Sequence, residues 1–506
     1  MVATPRTRTD ISGEEAIHVR AFLRRGLNRV LGSAQATIDT IEPGSIVVAP
    51  RRPIAMDDEA AITEVLDLAA KIGAVLLDSG TGAIDTERQI AFVAGIYGLD
   101  DVDIDVTFNS IIVSAQRGNS LPPVTCLRTV HARSIDFTRL AHVDRLVRRI
   151  RQLAITPATA HGIVDEIYRA PHPYPYWVAT GGWGAMALGI SILLGGTFVV
   201  GLTALLTTLV IVSLNRRLAR AGTPIFFQQF VGGFIAVVPA AMLFHWRESF
   251  GLGPEFVPSQ IIAAGIVVLL SGLSLVGSVQ DAITGAPITG TARFAEVVLL
   301  TGGILAGVAL ALRAVEAMDV ILPGLTTQTP FGPADMPARI VGGAIAAGAF
   351  AVGSYAERRA IPVAFGAGLV ASAVAFGFAL TDTGAILSAA TAAVVVGLVG
   401  GLAARRALTP PLVVAVAGIT PLLPGLAIYR GLYGIMSGQS VVGFGQVAAA
   451  LTTGCALAAG VTFGEFLARS LRKPRLPSKL IRIPYRPDLR KPASRRAPRN
   501  RSEPGT

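Results

Sequence analysis

The chain has 506 residues, 52% of them hydrophobic and only 15% charged, with a mean hydropathy of +0.58 and a net charge of +11. Soluble proteins carry about 25% charged residues, so the composition excludes a wholly soluble chain. The positive excess lies in short loops and at the C-terminus, where it sets membrane orientation, so it does not read as a nucleic-acid surface.

The charge is uneven. Residues 1–170 hold many charges, residues 177–468 few, and the tail from Arg469 is basic. This predicts a soluble segment, a membrane segment and a tail. Cys126 and Cys455 cannot build a disulfide framework. The first 60 residues lack the apolar core of a signal peptide, so the N-terminal region is expected in the cytoplasm. Arg outnumbers Lys and Ala and Gly abound, which reads as a GC-rich bacterial genome.

Residues 1–56 are polar and are expected to be loosely ordered, apart from a helix at Glu14–Leu31. A segment over 57–170 then reads as a cytoplasmic α+β domain. Ile62, Val65, Leu66, Ala69, Ile72 and Leu76 recur at helical spacing, which predicts a helix over Asp57–Leu77. Ser79-Gly80-Thr81-Gly82 stops it, and a second helix follows at Asp85–Tyr97. "VDIDVTF" (102–108), "SIIVSAQ" (110–116) and "PVTCLRTV" (123–130) read as strands. Helices at Phe137–Ala154 and Pro157–Tyr168 lead towards the membrane.

Asp101, Asp103 and Asp105 share one strand face. Three carboxylates in a row suit a divalent cation, but nothing nearby completes a ligand set, so a solvated face is the better reading. No metal site, no cofactor and no catalytic set is expected. G-x-S-x-G, the P-loop and H-E-x-x-H are all absent from the sequence.

A membrane helix needs about 20 apolar residues. Ten stretches qualify: Trp177–Leu194, Phe198–Leu214, Phe226–His245, Ile261–Val279, Phe294–Leu312, Ile340–Ser354, Ile361–Leu380, Ile386–Ala404, Leu412–Tyr429 and Phe444–Leu467. The sixth is short or begins earlier. "HPYPYW" (172–177) supplies the aromatic and proline residues of a bilayer entrance. With both termini inside, Arg216, Arg217, Arg220, Arg358, Arg359, Arg405, Arg406, Arg469, Arg472 and Lys473 all fall on the cytoplasmic side.

"LLSGL" (269–273) and "LLPGL" (422–426) stand 153 residues apart, and so do Gly285 and Gly438, Gly290 and Gly443, and Gly307 and Gly460. Five spans per half, 171–318 and 319–470, would set the second half upside down relative to the first. Such inverted repeats, interrupted at matching positions, mark transporter substrate sites. The expected substrate path is Ser271, Gly272, Ser274, Ser278, Gln280, Pro424, Gly425 and Tyr429. Asp281 and Glu296 are the expected proton-coupling groups, since ionisable residues at membrane depth mark ion paths. Glu296 reads as the deepest acid and as a partner for Arg293. Glu465 reads as an interfacial residue. Residues 471–506 form a basic disordered cytoplasmic tail.

The whole arrangement resembles the threonine/serine exporter family. The resemblance runs from about Ala61 to Leu471 and rests on "LLDSGTGAIDTERQIAFVAGIYGL", "VDIDVTFNSIIVSA", "HPYPYW", "LLGG" (193–196) and the two Leu-Leu-x-Gly-Leu segments. It implies a polytopic α-helical protein of the bacterial inner membrane that exports threonine and serine, driven by the proton gradient. Homo-oligomers fit such a protein. In relatives split into two chains, it implies dicarboxylates as cargo. Many members carry Arg-x-Glu after the small-residue turn; here Asp85 stands at the Arg position and Glu87 is kept. Two other classes compete with transport: a membrane-anchored enzyme, and a sensor whose soluble domain gates the pore.

Overall fold

The computed structural model describes residues 53–117, 121–130, 136–153, 155–251, 256–270, 272–320, 322, 333–381, 384–407 and 409–472. The helix expected at Glu14–Leu31, the tail beyond Arg472 and Ser271 lie outside the described residues.

The N-terminal segment starts with α1 (Glu59–Asp78), capped by Asp58, whose carboxylate accepts the Ala61 N–H at 3.1 Å. Its apolar positions pack under a sheet and against α2 (Ala83–Ile96). Strands β1 (Val102–Val106), β2 (Ser110–Arg117) and β3 (Leu121–Thr129) pair antiparallel in that order. The β1–β2 register sets Asp103 opposite Ser114, and a bulge interrupts β2–β3 between Ala115 and Arg117. Period-2 alternation turns Ile111, Val113 and Ala115 into the core. Asp101, Asp103 and Asp105 face solvent together. Helices α3 (Phe137–Leu153) and α4 (Pro157–Arg169) complete the segment.

The membrane part comprises α5 (Tyr176–Leu193), α6 (Phe198–Arg220), α7 (Ile225–His245), α8 (Pro258–Leu269), α9 (Gly272–Thr284), α10 (Pro287–Glu316), α11 (Met336–Gly353), α12 (Ala360–Ala379), α13 (Ala385–Ala407), α14 (Pro411–Ile419), α15 (Gly425–Met436) and α16 (Ser440–Arg472). Among the described residues, eight helices are long and apolar enough to cross a membrane. Two bent pairs raise the number to ten. The pairs are α8 with α9, bent by 51°, and α14 with α15, bent by 40°. The sixth span begins earlier than its apolar core, at Met336, with Arg339 buried near its start.

Both breaks fall in the Leu-Leu-x-Gly-Leu segments. Leu270 (φ −64°, ψ 124°) and Leu423 (φ −61°, ψ 136°) leave their helices in the same extended conformation. Gly285 and Gly438 both close the second arm with positive φ, +117° and +82°. The next helix then crosses that arm closely. A Cβ at Gly290 would stand 2.7 Å from the Ser278 carbonyl oxygen and 2.8 Å from the Ala282 nitrogen. At Gly443 it would stand 2.6 Å from the Gly431 carbonyl oxygen and 2.6 Å from the Ile435 nitrogen. Each residue of the second set lies 153 positions after its counterpart in the first.

Small residues let the other helices approach, since helices in lipid associate by close packing rather than by hydrophobic burial. At the α5–α11 contact, a Cβ at Gly189 would stand 2.7 Å from the Gly342 carbonyl oxygen. One at Gly342 would stand 2.8 Å from the Gly189 carbonyl oxygen.

Candidate functional site

Two places concentrate the expected site residues: the breaks themselves, and the junction where α9 and α10 meet the N-terminal segment. At the second break, Pro424 precedes α15 and Gly425 opens it. Gly425 lies against α8: a Cβ there would stand 3.0 Å from the Ala263 carbonyl oxygen, 3.4 Å from Val267 Cβ and in collision with Val267 Cγ2. Tyr429 is buried one turn further along, its ring 6.2 Å from that of Tyr433. Gly272 opens α9 at the first break. Ser274 is half-buried. Ser278 is fully buried, but its hydroxyl donates to the Leu275 carbonyl at 2.7 Å, so it serves its own helix.

The junction carries the charge. Asp281, near the end of α9, is fully buried, and its Oδ2 pairs with Arg293 Nη1 at 2.6 Å. Its Oδ1 accepts the backbone N–H of Ala83 at 2.8 Å. Ala83 is the first residue of α2, whose own N-cap, Gly82, has no side chain to offer. Asp281 therefore caps a helix 198 residues away in sequence and meets its positive end. Gly82 leaves the room: a Cβ there would stand 3.0 Å from Asp281 Oδ1. Arg293 also donates to the Thr81 carbonyl at 3.5 Å, and Thr289 to that of Val106 at 3.4 Å. Asp281 is the more buried of the two acids; Glu296 is half-buried and its charge acts on the same guanidinium.

Beside this pair lies a cavity of about 40 Å³, lined among others by Thr81, Gly82, Asp85, Gln280, Pro410 and Glu465. Gln280 is 7% exposed and its side chain makes no hydrogen bond among the described residues. Asp85 pairs with Arg88 at 3.0 Å and with Arg469 at 3.5 Å, and Arg469 also reaches Glu465 at 3.5 Å. Glu465, 8% exposed, belongs to this group. Glu87, the retained acid, accepts the Val106 N–H at 3.4 Å; burial pushes its carboxyl above the usual range.

A second clamp joins the α11–α12 connection to the N-terminal segment. Phe137 N–H donates to the Ser354 carbonyl at 3.1 Å, Tyr174 Oη to that of Ala356 at 2.8 Å, and Arg145 pairs with Glu357 at 2.6 Å. The aromatic "HPYPYW" stretch contributes here. His172 stacks on Tyr355 at 4.1 Å, while Trp177 points outward, 73% exposed.

The chain has relatives of known description. Residues 67–315 match the family described as "Putative threonine/serine exporter", and residues 339–467 match "Threonine/Serine exporter, ThrE". The "Threonine/serine exporter" of Corynebacterium glutamicum is 45% identical over 427 residues, 84% of this chain and 87% of that one. The chain belongs to the threonine/serine exporter family. A second relative, the "Probable threonine/serine exporter" of Mycobacterium tuberculosis, is 38% identical over 458 residues, 89% of this chain and 84% of its own. No solved structure matches the chain. Family membership and the long apolar helices make it a multi-pass bacterial membrane protein.

Gly272 and Ser274 stand at the start of α9, and other expected path and coupling residues fall into three groups. Pro424, Gly425 and Tyr429 gather at the second break against α8. Gln280 and Asp281 sit at the junction. Ser278 is turned into its own backbone. The capping contact between Asp281 and Ala83 was missed from sequence. Its signal was there in combination: a helix opening on Gly82 with no side-chain cap, and an acid at the end of an apolar helix.

Proposed function

We propose that this chain is a secondary exporter of threonine and serine across the bacterial inner membrane, driven by the proton gradient, with both termini in the cytoplasm. The two broken spans carry the reading. Backbone that leaves the helix at membrane depth is tolerated only where protein buries it or where it lines a cavity. The breaks at Leu270 and Leu423 share a conformation, and Gly425 abuts α8. Support for an inverted repeat of 171–318 and 319–470 comes from the matched crossings at Gly290 and Gly443 and from the reciprocal α5–α11 contact.

The substrate passes between the breaks, along Gly272, Ser274, Pro424, Gly425 and Tyr429, with Gln280 at its cytoplasmic end. Ser278 donates its hydroxyl to the Leu275 carbonyl and keeps lone pairs that accept a hydrogen bond from the cargo. Proton linkage runs through Asp281, with Glu296 beside it. Protonating Asp281 removes the charge that balances Arg293 and weakens the cap on α2, although the neutral carboxyl keeps an acceptor for Ala83, so the junction between α9 and the cytoplasmic α+β domain loosens. Deprotonation restores both. A dicarboxylate cargo is disfavoured by one observation: Arg293, a cation at the cytoplasmic mouth of the path, is already neutralised by Asp281 at 2.6 Å.

The test is release from proteoliposomes loaded with labelled threonine, serine or succinate, with and without an imposed pH gradient. Threonine and serine should leave faster with the gradient and succinate should not. Gradient-insensitive release, or succinate as the preferred cargo, overturns the proposal.

A further inference from the structure

We infer that the junction cavity is a loading site for a primary ammonium group, held by Asp85, Glu465 and Gln280. The inference rests on the export reading for the identity of the ligand, a small zwitterionic amino acid approaching from the side of the α+β domain.

Size comes first. A cavity of about 40 Å³ exceeds the roughly 10–15 Å³ that one water needs, so it has room for an ammonium head. The head enters first, and the rest follows when α9 moves. Hydrogen bonding comes second. Gln280 is 7% exposed, lines the cavity and has no side-chain hydrogen bond among the described residues, so its amide can bond a group that enters. An ammonium has three donors, and two carboxylates with one amide oxygen offer three acceptors.

Charge comes third. Asp85 on α2 and Glu465 on α16 share Arg469, and Asp85 also holds Arg88 at 3.0 Å. Arg469 reaches each at 3.5 Å, longer than the roughly 2.7–2.9 Å of a tight charge-assisted bond. Asp144, which also lines the cavity, is paired with Arg148 on its own helix. Among the described residues no three acids, histidines or cysteines converge as metal ligands do, so the spacing suits N–H donors rather than a bare cation. Place comes last. Gln280 adjoins Asp281 at the end of α9, and Pro410 and Pro411 lead into α14, so the cavity touches the near arms of both broken spans. An ammonium bound here displaces Arg469 and loosens the end of α16.

The test uses the purified full chain and two probes. Threoninol keeps the amine and lacks the carboxylate; 3-hydroxybutyrate keeps the carboxylate and lacks the amine. Calorimetry should find threoninol binding at least tenfold tighter than 3-hydroxybutyrate. Asp85→Asn and Glu465→Gln should each weaken threoninol at least tenfold. Arg469→Gln should tighten it severalfold, because the resident cation is gone; a purely structural role for these charges weakens binding in all three variants alike. Should the acid variants fail to fold, Gln280→Met keeps the volume and should weaken threoninol about threefold. Unchanged affinity in the acid variants or in Gln280→Met, or weaker binding in Arg469→Gln, overturns the site. The same preparations, assayed for threonine export, separate the two claims. Export without threoninol binding rejects the site alone, and threoninol binding without threonine export rejects the export reading alone.

Discussion

At the scale of single residues, Asp281 has three partners for one charge. It neutralises Arg293, accepts the Ala83 N–H and sits at the positive end of α2. Removing one member of a buried pair strands the other, at a cost of about 3–5 kcal/mol. Asp281→Asn keeps an acceptor for Ala83 but cannot titrate or balance Arg293. It should abolish gradient-driven threonine export while leaving exchange of labelled for unlabelled threonine, and Glu296→Gln should weaken the gradient response less. Equal, pH-dependent export by both variants would remove these residues from the coupling. Glu87 gives an independent check through stability. Its carboxyl titrates above the usual range in the folded chain because burial disfavours the charged form, so Glu87 lowers stability near neutral pH, and that penalty fades as pH falls through its folded pKa. Glu87→Gln retains an acceptor for Val106 and should melt at higher temperature than the parent at pH 7. The two melting curves should converge near pH 4. A variant less stable than the parent at pH 7 would contradict the assignment.

At the scale of elements, the broken spans follow from local chemistry. Leu-Leu-x-Gly-Leu continues the apolar run but inserts Gly, and in the second copy Pro, where a helix loses both propensity and a hydrogen bond. Gly425 is then confined by Val267, so Gly425→Ala overpacks the crossing, typically at about 1–3 kcal/mol. Gly425→Ala should reduce export strongly with protein still in the membrane, and adding Val267→Ala should restore much of it. Additive losses in the double variant would show that the two residues do not share a contact. Most of the elements were legible in the sequence because period and punctuation act locally. The first helix, expected at Asp57–Leu77, is Glu59–Asp78, and the third strand, expected over 123–130, is Leu121–Thr129. The site was legible only in part. Pro424 and Gly425 announce a break, but nothing local tells Ser278, bonded to Leu275, from Gln280, which lines the cavity. The cap on Ala83 and the burial of Glu465 arise from contacts between distant segments, which periodicity does not record.

At the scale of the whole molecule, the α+β segment docks on the bundle at two places. One is the Asp281–Ala83 contact, and the other is the clamp on residues 354–357. The clamp grips the connection after the sixth span, and the Asp281 contact grips the end of the fourth, a broken one. The first broken span therefore touches the α+β segment, and the second broken span meets the first through Gly425 and α8. The central claim is that these two breaks abut and must move for cargo to pass. A cysteine pair tests it directly. Cβ atoms at 267 and 425 would lie 3.4 Å apart, at the short edge of the roughly 3.5–4.5 Å that a disulfide spans. In a chain with Cys126→Ser and Cys455→Ser, oxidising the Val267→Cys, Gly425→Cys pair should cross-link it and stop threonine export, and reductant should restore both the free thiols and the export. Failure to cross-link, or full export by the cross-linked protein, would contradict the account.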